Sequence, residues 1–339
     1  MARLRRSDCS GPGIGRRRRG RGFEFFDEGG GKIRDGETLE RLAELRVPPA
    51  WEDVWICSDP MGHLQATGID AAGRKQYLYH QRWRERRDQE KFDRMVGFAR
   101  ALPRMRRRVA EDLVLGDGEL GETQVLACAL RLLDRGFFRI GGEDYAEDNE
   151  SYGLATMKRR HVRISDGKAV FDYTGKGGQR QVQAIADPDV IPILARLKRR
   201  RSKGLDLLAF KRGGRWRDVR SEDVNAYLKE AAGPDYSAKD FRTWNATVIA
   251  ALALAARGPV PDTNSGRKRA INDAVAGTAA FLGNTPAVSR QSYIDPRVLD
   301  RYREGVTIAP SLRRVRLPED VYDPRVQRSI ERAVLRLID

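Results

Sequence analysis

The spacing of apolar positions changes near residue 90, and the change predicts two kinds of structure. Before it, short runs mix aromatic and β-branched residues, at Asp53–Cys57, His63–Thr67 and Lys75–His80. Turn residues rich in glycine and proline separate these runs, as in small antiparallel β-sheets. We therefore expect a β-rich N-terminal domain over residues 23–90.

Beyond that point apolar residues recur mostly at helical spacing. The first predicted helical stretch covers 81–114 and is interrupted near Pro103, because proline lacks the N–H that a helix interior requires. Further helices are predicted over Thr123–Leu133, 188–201, 221–232, 238–257, 265–282 and Asp323–Leu337. Ser237 is a good N-cap for the helix that begins at residue 238.

A small sheet interrupts the predicted helices. Strands are predicted at Leu154–Met157, Val162–Ile164, Ala169–Tyr173 and Gln181–Ile185. Asp166-Gly167 is a two-residue hairpin turn, and a glycine-rich turn at Gly175–Gly178 carries Lys176 at its tip. The last three strands thus form a three-stranded antiparallel sheet. The whole pattern predicts an α+β protein with a larger, mostly helical catalytic domain over 91–339.

The N-terminal 22 residues follow neither pattern. They contain eight arginines and one aspartate, with glycine in most of the gaps. Such a segment has too few apolar residues to form a core, so residues 1–22 are expected to be a disordered basic tail. Two roles are consistent with this composition: an electrostatic arm that binds DNA, or a solubilising tail.

Charge indicates the kind of partner. The chain has 64 Lys and Arg against 48 Asp and Glu, a formal net charge of +16 and a pI near 10.1. This favours a polyanion, and nucleic acid is the usual one. Cys9, Cys57 and Cys128 lie far apart, which indicates reduced thiols and no zinc site. With no apolar run of membrane-spanning length and no signal peptide, a cytoplasmic protein associated with the nucleoid is expected.

One reaction suits a basic protein with a tyrosine near a chain reversal, namely phosphodiester cleavage by a phenol. Tyr293 is the candidate nucleophile. Arginine forks such as Arg139 and Arg242 would stabilise the charge on the phosphate oxygens, which makes a metal ion or other cofactor unnecessary. Lys176 could protonate the leaving oxygen, and Asn284 could donate a hydrogen bond to the phosphate.

The order of these residues resembles that of the type IB DNA topoisomerases, in their small poxvirus-like and bacterial group. The resemblance runs from about Val47 to about Tyr293. It rests on the segments Val47–Trp51, Asp53–Cys57, Leu64–Gly68, Asp70–His80, Phe137–Gly142, Tyr152–His161, Phe171–Lys176 and Lys239–Arg242.

The resemblance implies roles for individual residues. Tyr293 would form a 3′-phosphotyrosyl bond, Arg139 and Arg242 would be the two catalytic arginines, and Lys176 the general acid assisted by Lys239. Asn284 stands where the family commonly has histidine, and it can donate a neutral hydrogen bond but carries no charge. The asparagine would affect how strongly the transition state is bound, but it does not change the type of reaction.

The resemblance also implies how DNA is bound. By this resemblance Gln76, Tyr77 and Tyr79 would contact the major groove. The two tyrosines share a strand face that excludes Leu78, which favours a DNA-facing surface over the alternative of a core face. Lys158, Arg159 and Arg160 are interpreted as a phosphate-contacting face, with a solvated strand edge as the alternative. A monomer would clamp duplex DNA between its two domains and relax supercoils by cleavage, strand rotation and religation, without ATP or Mg²⁺.

Two other functions remain to be weighed. A tyrosine recombinase has the same order of catalytic residues, but it usually carries His-x-x-Arg where this chain has Lys239-x-x-Arg242, and its N-terminal clamp is helical. A non-enzymatic basic nucleic-acid-binding protein would explain the positive charge. It would not explain why the candidate catalytic residues occur in this order along the chain. The topoisomerase is the favoured prediction.

Overall fold

Internal contacts divide the chain into two units, Met1–Lys91 and Phe92–Asp339. The computed structural model describes residues 3–114, 118–142, 150–313 and 323–339. Both units mix helices and antiparallel strands, so the predicted α+β class is confirmed. None of the helices in these ranges combines the length and hydropathy needed to cross a bilayer.

The first unit is built on a five-stranded antiparallel sheet in the order β2-β1-β3-β4-β5. The strands are β1 Ile14–Arg19, β2 Gly22–Phe26, β3 Glu52–Ile56, β4 Leu64–Ile69 and β5 Lys75–Tyr79. Helix α1 (Gly36–Glu44) begins at Asp35, whose side chain accepts the Thr38 N–H at 2.8 Å. Leu42 of this helix packs on one face of the sheet, in a small core with Ile14, Ile56 and Ala66.

The prediction of a disordered tail is wrong for residues 14–19, which form strand β1. Strand β1 pairs with both β2 and β3, so Ile14 enters the core and Arg16 is drawn in beside it. The Arg16 guanidinium donates to the carbonyls of Val47, Pro48 and Trp51 at 2.7 to 3.0 Å. These hydrogen bonds and the cross-strand pairing stabilise a segment whose composition alone predicts disorder.

Helix α2 (Gln81–Asp112) is continuous, although an interruption near Pro103 was expected. The proline removes one backbone hydrogen bond. On either side of it Leu102 and Met105 are buried, along with Phe92, Met95 and Phe98 of the same helix. Burial of this apolar stripe offsets the missing bond and keeps the helix intact.

Nine further helices and five further strands among the described residues make up the rest of the second unit. The helices are α3 Glu122–Gly136, α4 Val190–Arg199, α5 Ser221–Ala232, α6 Ala238–Ala256, α7 Asn264–Leu282, α8 Pro286–Ser292, α9 Pro296–Arg303, α10 Ala309–Leu312 and α11 Pro324–Ile338. A three-stranded sheet in the order β6-β7-β8 comprises β6 Val162–Ser165, β7 Lys168–Thr174 and β8 Arg180–Ile185. A hairpin of β9 Ala209–Arg212 and β10 Arg215–Asp218 precedes α5 and was not predicted.

The predicted strand at Leu154–Met157 is a turn. Its N–H groups bind a neighbouring loop instead of a strand, with Leu154 donating to the Arg139 carbonyl at 2.8 Å and Ala155 to the Ile140 carbonyl at 2.7 Å. The two loops touch closely, since a Cβ at Gly153 would come within 2.4 Å of the Gly141 backbone. The apolar residues of Leu154–Met157 are therefore buried without forming a strand.

Helix α6 lies at the centre of the second unit. Phe241, Trp244 and Ala250 are at most 1% exposed and belong to its large core. As predicted, α6 begins after Ser237, whose N–H donates to the Asp240 carboxylate at 2.7 Å. The C-terminal helix α11 packs against it, and Trp244 Nε1 donates to Glu331 at 3.2 Å.

Candidate active site

Tyr293 directly follows the two-turn helix α8. That helix begins at Thr285, whose hydroxyl accepts the Val288 N–H at 3.3 Å, and Pro286 occupies the first turn. The Tyr293 N–H donates to Ser289 at 3.1 Å, and the Thr247 hydroxyl of α6 lies 3.4 Å from the Tyr293 carbonyl oxygen. The main chain of Tyr293 is thus fixed, and its half-buried side chain faces the site.

Arg242 lies beside this tyrosine, at 4% exposure. Its Cζ is 5.4 Å from the centre of the Tyr293 ring. One terminal nitrogen donates to the Phe137 carbonyl and the other to the Leu282 carbonyl, the latter at 2.7 Å. The buried Nε finds no acceptor in the part of the chain that the structure describes. A buried guanidinium with a donor to spare is suited to receive an anion.

Arg139 approaches from the end of α3. That helix ends at Phe137 in the left-handed conformation (φ 56°), which turns the chain toward the site. The Arg139 Nη2 donates to the Gly283 carbonyl at 3.1 Å and to the Asn284 side-chain oxygen. The backbone contact from Leu154 holds the Arg139 carbonyl on the other side.

Asn284 lies in the turn between α7 and α8. Helix α7 ends at Gly283, which has a φ of 59°, and the Asn284 N–H returns to the Ala279 carbonyl at 3.0 Å. Because its side-chain oxygen accepts from Arg139, its Nδ2 is left as a donor. That nitrogen is buried and has no acceptor among the described residues. The site therefore offers a second unsatisfied donor beside Arg242 Nε.

The two arginines perturb each other and a neighbouring tyrosine. Burial, and then the charge of Arg139, lower the pKa of Arg242 to about 10, while the Tyr293 hydroxyl partly opposes the shift. Burial raises the pKa of Tyr173, on β7, to about 12 against the opposing pull of both guanidinium charges. Arg242 thus remains protonated at neutral pH, in surroundings where a bound anion would be favoured.

The two lysines stand at the edge of this cluster. Lys176 is exposed in the turn between β7 and β8, where Gly177 and Gly178 have positive φ. Lys239 is exposed on α6, one helical turn before Arg242. The structure thus brings together Tyr293, Arg139, Arg242 and Asn284, whereas the Lys176 and Lys239 side chains are exposed.

Sequence reasoning missed Gln181 on β8. Its side chain lies between two glycines of the site, because a Cβ at Gly175 would come within 2.9 Å of Gln181 Cγ and one at Gly283 within 2.6 Å of its amide. Gln181 therefore connects the Lys176 turn to the Asn284 turn. Alternating polar residues along β8 are the one signal in the sequence, and they do not single out this position.

Of the proposed groove-contacting residues, Tyr77 and Tyr79 share the outer face of β5, whereas Gln76 lies on the same face as Leu78. The Tyr77 and Tyr79 rings stack with centroids 6.2 Å apart and an interplanar angle of 16°, and Tyr77 is 49% exposed. Gln76 lies in the same strand and donates to Asp70 at 2.8 Å. Leu78 packs on the core, as the strand alternation predicted.

The Lys158–Arg160 segment is more deeply engaged than expected. Lys158 pairs with Asp206 at 2.5 Å, and Arg159 donates to the carbonyls of Arg200, Ser202 and Gly204. Arg160 is exposed, 3.5 Å from the Tyr152 hydroxyl. Two of the three side chains therefore serve internal contacts in this structure.

Known proteins match most of the chain. Residues 80–309 match the family described as the catalytic core of eukaryotic DNA topoisomerase I, and residues 22–70 match the N-terminal domain of bacterial DNA topoisomerase IB. DNA topoisomerase 1B of Acanthamoeba polyphaga mimivirus is 31% identical over 300 residues, which cover 86% of this chain and 88% of the viral one.

Poxviral proteins match at lower identity. DNA topoisomerase 1 of Rabbit fibroma virus is 20% identical over 83% of this chain and 87% of its own length. DNA topoisomerase 1B of Vaccinia virus (strain Western Reserve) is 24% identical over 42% of this chain and 46% of its own. On these matches, the chain belongs to the type IB DNA topoisomerases.

Proposed function

We propose that this topoisomerase relaxes supercoiled DNA by cutting one strand with the Tyr293 hydroxyl. The phenol oxygen attacks the scissile phosphorus, its proton leaves to solvent, and the bond to the 5′ oxygen breaks. The product is a 3′-phosphotyrosyl link that conserves the energy of the phosphodiester, so religation by the 5′ hydroxyl requires no ATP.

Three side chains bind the phosphate in this proposal. The transition state carries more negative charge on its non-bridging oxygens than the ground state, and Arg139 and Arg242 supply fixed positive charge there. Arg242 Nε and Asn284 Nδ2, both buried without acceptors among the described residues, supply directed hydrogen bonds. Because these donors are already in place, little reorganisation accompanies the reaction.

The leaving 5′ alkoxide needs a proton, which Lys176 donates with assistance from Lys239. An ammonium group becomes a better acid when cations and a low dielectric surround it. Lys176 enters such surroundings once the glycine-rich turn closes on the cleavage site. Its exposure in the free protein is compatible with this role, because catalytic hydrogen bonds often form only in the substrate complex.

DNA binding is assigned to both units. Gln76, Tyr77 and Tyr79 contact the major groove, and phosphate contacts come from basic side chains such as Arg160. Lys158 and Arg159 would have to exchange internal partners before they could join them. A monomer clamps the duplex, the cut strand rotates, and the enzyme acts at the nucleoid.

The convergence of Tyr293, Arg139, Arg242 and Asn284 supports this proposal most directly. In the test, supercoiled plasmid is incubated with the protein in EDTA without ATP, beside Tyr293→Phe and the control Tyr236→Phe. Wild type and control should relax the plasmid and leave a protein-linked strand on denaturation, and Tyr293→Phe should do neither.

The other outcomes point elsewhere. Relaxation by Tyr293→Phe would mean that a different residue is the nucleophile. Tight binding without relaxation by the wild type would favour a recombinase that requires a specific site, or a binding protein.

A further inference from the structure

The arginine-rich strand β1 belongs to the same sheet as the tyrosine strand β5. Directly opposed residues in an antiparallel sheet share a face. The register Gly15–Trp55, Trp55–Thr67 and Thr67–Tyr77 therefore forms one row across β1, β3, β4 and β5. The neighbouring row, from Ile14 through Ile56 and Ala66 to Leu78, faces the core.

This register decides which arginines of β1 face outward with the tyrosines. Arg17 lies two residues beyond Gly15 and so shares the face of Tyr77 and Tyr79, whereas Arg16 and Arg18 belong to the opposite face. Three strand spacings of about 4.8 Å, and two residues along β1, place the Arg17 and Tyr77 backbones roughly 15 Å apart.

The surroundings of Arg17 leave its charge available. It is exposed, and its Cζ lies 4.6 Å from the centre of the Phe26 ring. No carboxylate in the described ranges lies within ion-pair distance of it, whereas Arg19 on the same face pairs with Glu24. Stacking on Phe26 restricts the guanidinium before any partner arrives, which lowers the entropic cost of a contact.

We propose that Arg17 binds a phosphate of the same DNA duplex whose major groove receives Tyr77 and Tyr79. The major groove is about 12 Å wide, so a side chain some 15 Å from the groove contacts can reach a flanking phosphate. Strand β1 lies before residue 22, where the match to the bacterial N-terminal domain begins. The contact rests on the proposed groove role of β5.

The test compares Arg17 and Arg18, which carry the same charge but lie on opposite faces of β1. The dissociation constant of the full chain on a linear duplex is measured against salt concentration for wild type, Arg17→Ala, Arg18→Ala and Arg17→Lys. Loss of one phosphate contact should lower the slope of log K against log salt by about one. We expect that change for Arg17→Ala, with Arg18→Ala and Arg17→Lys close to wild type.

Equal slopes for Arg17→Ala and Arg18→Ala would overturn the proposal. They would show that the two arginines contribute only through the general positive charge of the protein, which acts equally from both faces of the sheet. An unchanged slope for Arg17→Ala would overturn it as well. Thermal unfolding of each variant identifies any loss of affinity that comes from misfolding. Plasmid relaxation by the wild type and Tyr293→Phe tests the cleavage chemistry separately, so failure of either proposal is recognised independently.

Discussion

Gln181 lies so close to Gly283 that a Cβ at the glycine would come within 2.6 Å of both Nε2 and Oε1 of the glutamine. Gly283 also has a φ of 59° and presents its carbonyl to Arg139. The left-handed conformation therefore favours glycine before Asn284, and a Cβ there would also push the Gln181 amide aside. The turn that holds Asn284, the proposed phosphate-binding amide, packs against Gln181 at this point.

Gly283→Ala should destabilise the fold and slow cleavage. The left-handed conformation alone costs a residue with a Cβ about 1–2 kcal/mol, and the new Cβ would push aside the Gln181 amide that packs against the Asn284 turn. Urea denaturation and single-turnover cleavage measure the two effects. Gly277→Ala is the matched control, since it lies in the same helix α7 with open space around it and should stabilise by about 0.5–1 kcal/mol. Equal results for the two variants would contradict this account.

Gln181→Ala should impair the step that Lys176 serves. The Lys176 turn is rich in glycine and therefore flexible, whereas the Asn284 turn has contacts of its own to Ala279 and Arg139. Loss of the Gln181 side chain should slow cleavage between about tenfold and a hundredfold. Gln181→Met, which keeps the volume, should be closer to wild type.

A DNA with sulfur in place of the 5′ bridging oxygen separates the possible causes. A thiol has a pKa near 8.5, so the sulfur leaves without a proton from Lys176. Gln181→Ala should regain its rate on this substrate, as Lys176→Ala should. A defect that persists on the sulfur substrate would instead assign Gln181 to the phosphate-binding turn. Gln183→Ala, two residues along the same strand, is the control.

Asn284→Asp should abolish most cleavage and leave the fold stable. The carboxylate has the shape of the amide and can pair with Arg139, but it replaces the Nδ2 donor with a negative charge facing the phosphate. Loss of one such donor typically costs about a hundredfold to a thousandfold in rate. Cleavage and thermal unfolding are measured together, and a rate near that of wild type would exclude a phosphate contact by Asn284.

The pH dependence of cleavage should reflect Arg242 at its alkaline limit. The folded protein lowers the pKa of this group to about 10, so its charge is complete below that pH and declines as the pH rises through it. A bound phosphate favours the charged form, so in the DNA complex the decline should begin no lower than pH 10. Arg242→Lys, with a lower intrinsic pKa, should be slower and decline at lower pH. Identical profiles would show that another group titrates.

Glu331→Ala should lower global stability. Glu331 of α11 and Asp134 of α3 together bind the guanidinium of Arg106 at 2.7 to 2.8 Å. These carboxylates outweigh burial and raise the pKa of Arg106 above its ordinary value. Removing one partner of a buried pair costs about 3–5 kcal/mol, which urea denaturation would detect. Glu304→Ala, which removes an exposed pair with Arg301, should cost below about 1 kcal/mol.

The fold was predictable wherever local pattern and tertiary environment agree. Strands β3 to β5 are short runs between turns with aromatic or β-branched residues, helix α5 has apolar residues at helical spacing, and all four were predicted near their observed bounds. Strand β1 was missed because its stabilisation comes from distant carbonyls that bind Arg16. The Leu154 turn was misassigned because an apolar run records burial and leaves the backbone conformation open.

The site shows the same limit. Tyr293, Arg139, Arg242 and Asn284 were identified by their order along the chain, and the structure places them together. Thr247 and Gln181 were not identified, because the first depends on a contact with Tyr293, 46 positions away, and the second on packing against the still more distant Gly283. Such contacts leave no periodicity in the sequence.

Thr247 fastens the tyrosine to the helix that carries Arg242. Its hydroxyl lies against the Tyr293 carbonyl and accepts the Asp295 N–H at 3.1 Å, from a position on α6 between Arg242 and the end of that helix. In the proposed reaction, a nucleophile attached in this way acts in cis, within the molecule that also binds the phosphate. Each break would then be made and sealed by one polypeptide, and the number of covalent adducts would equal the number of open strands.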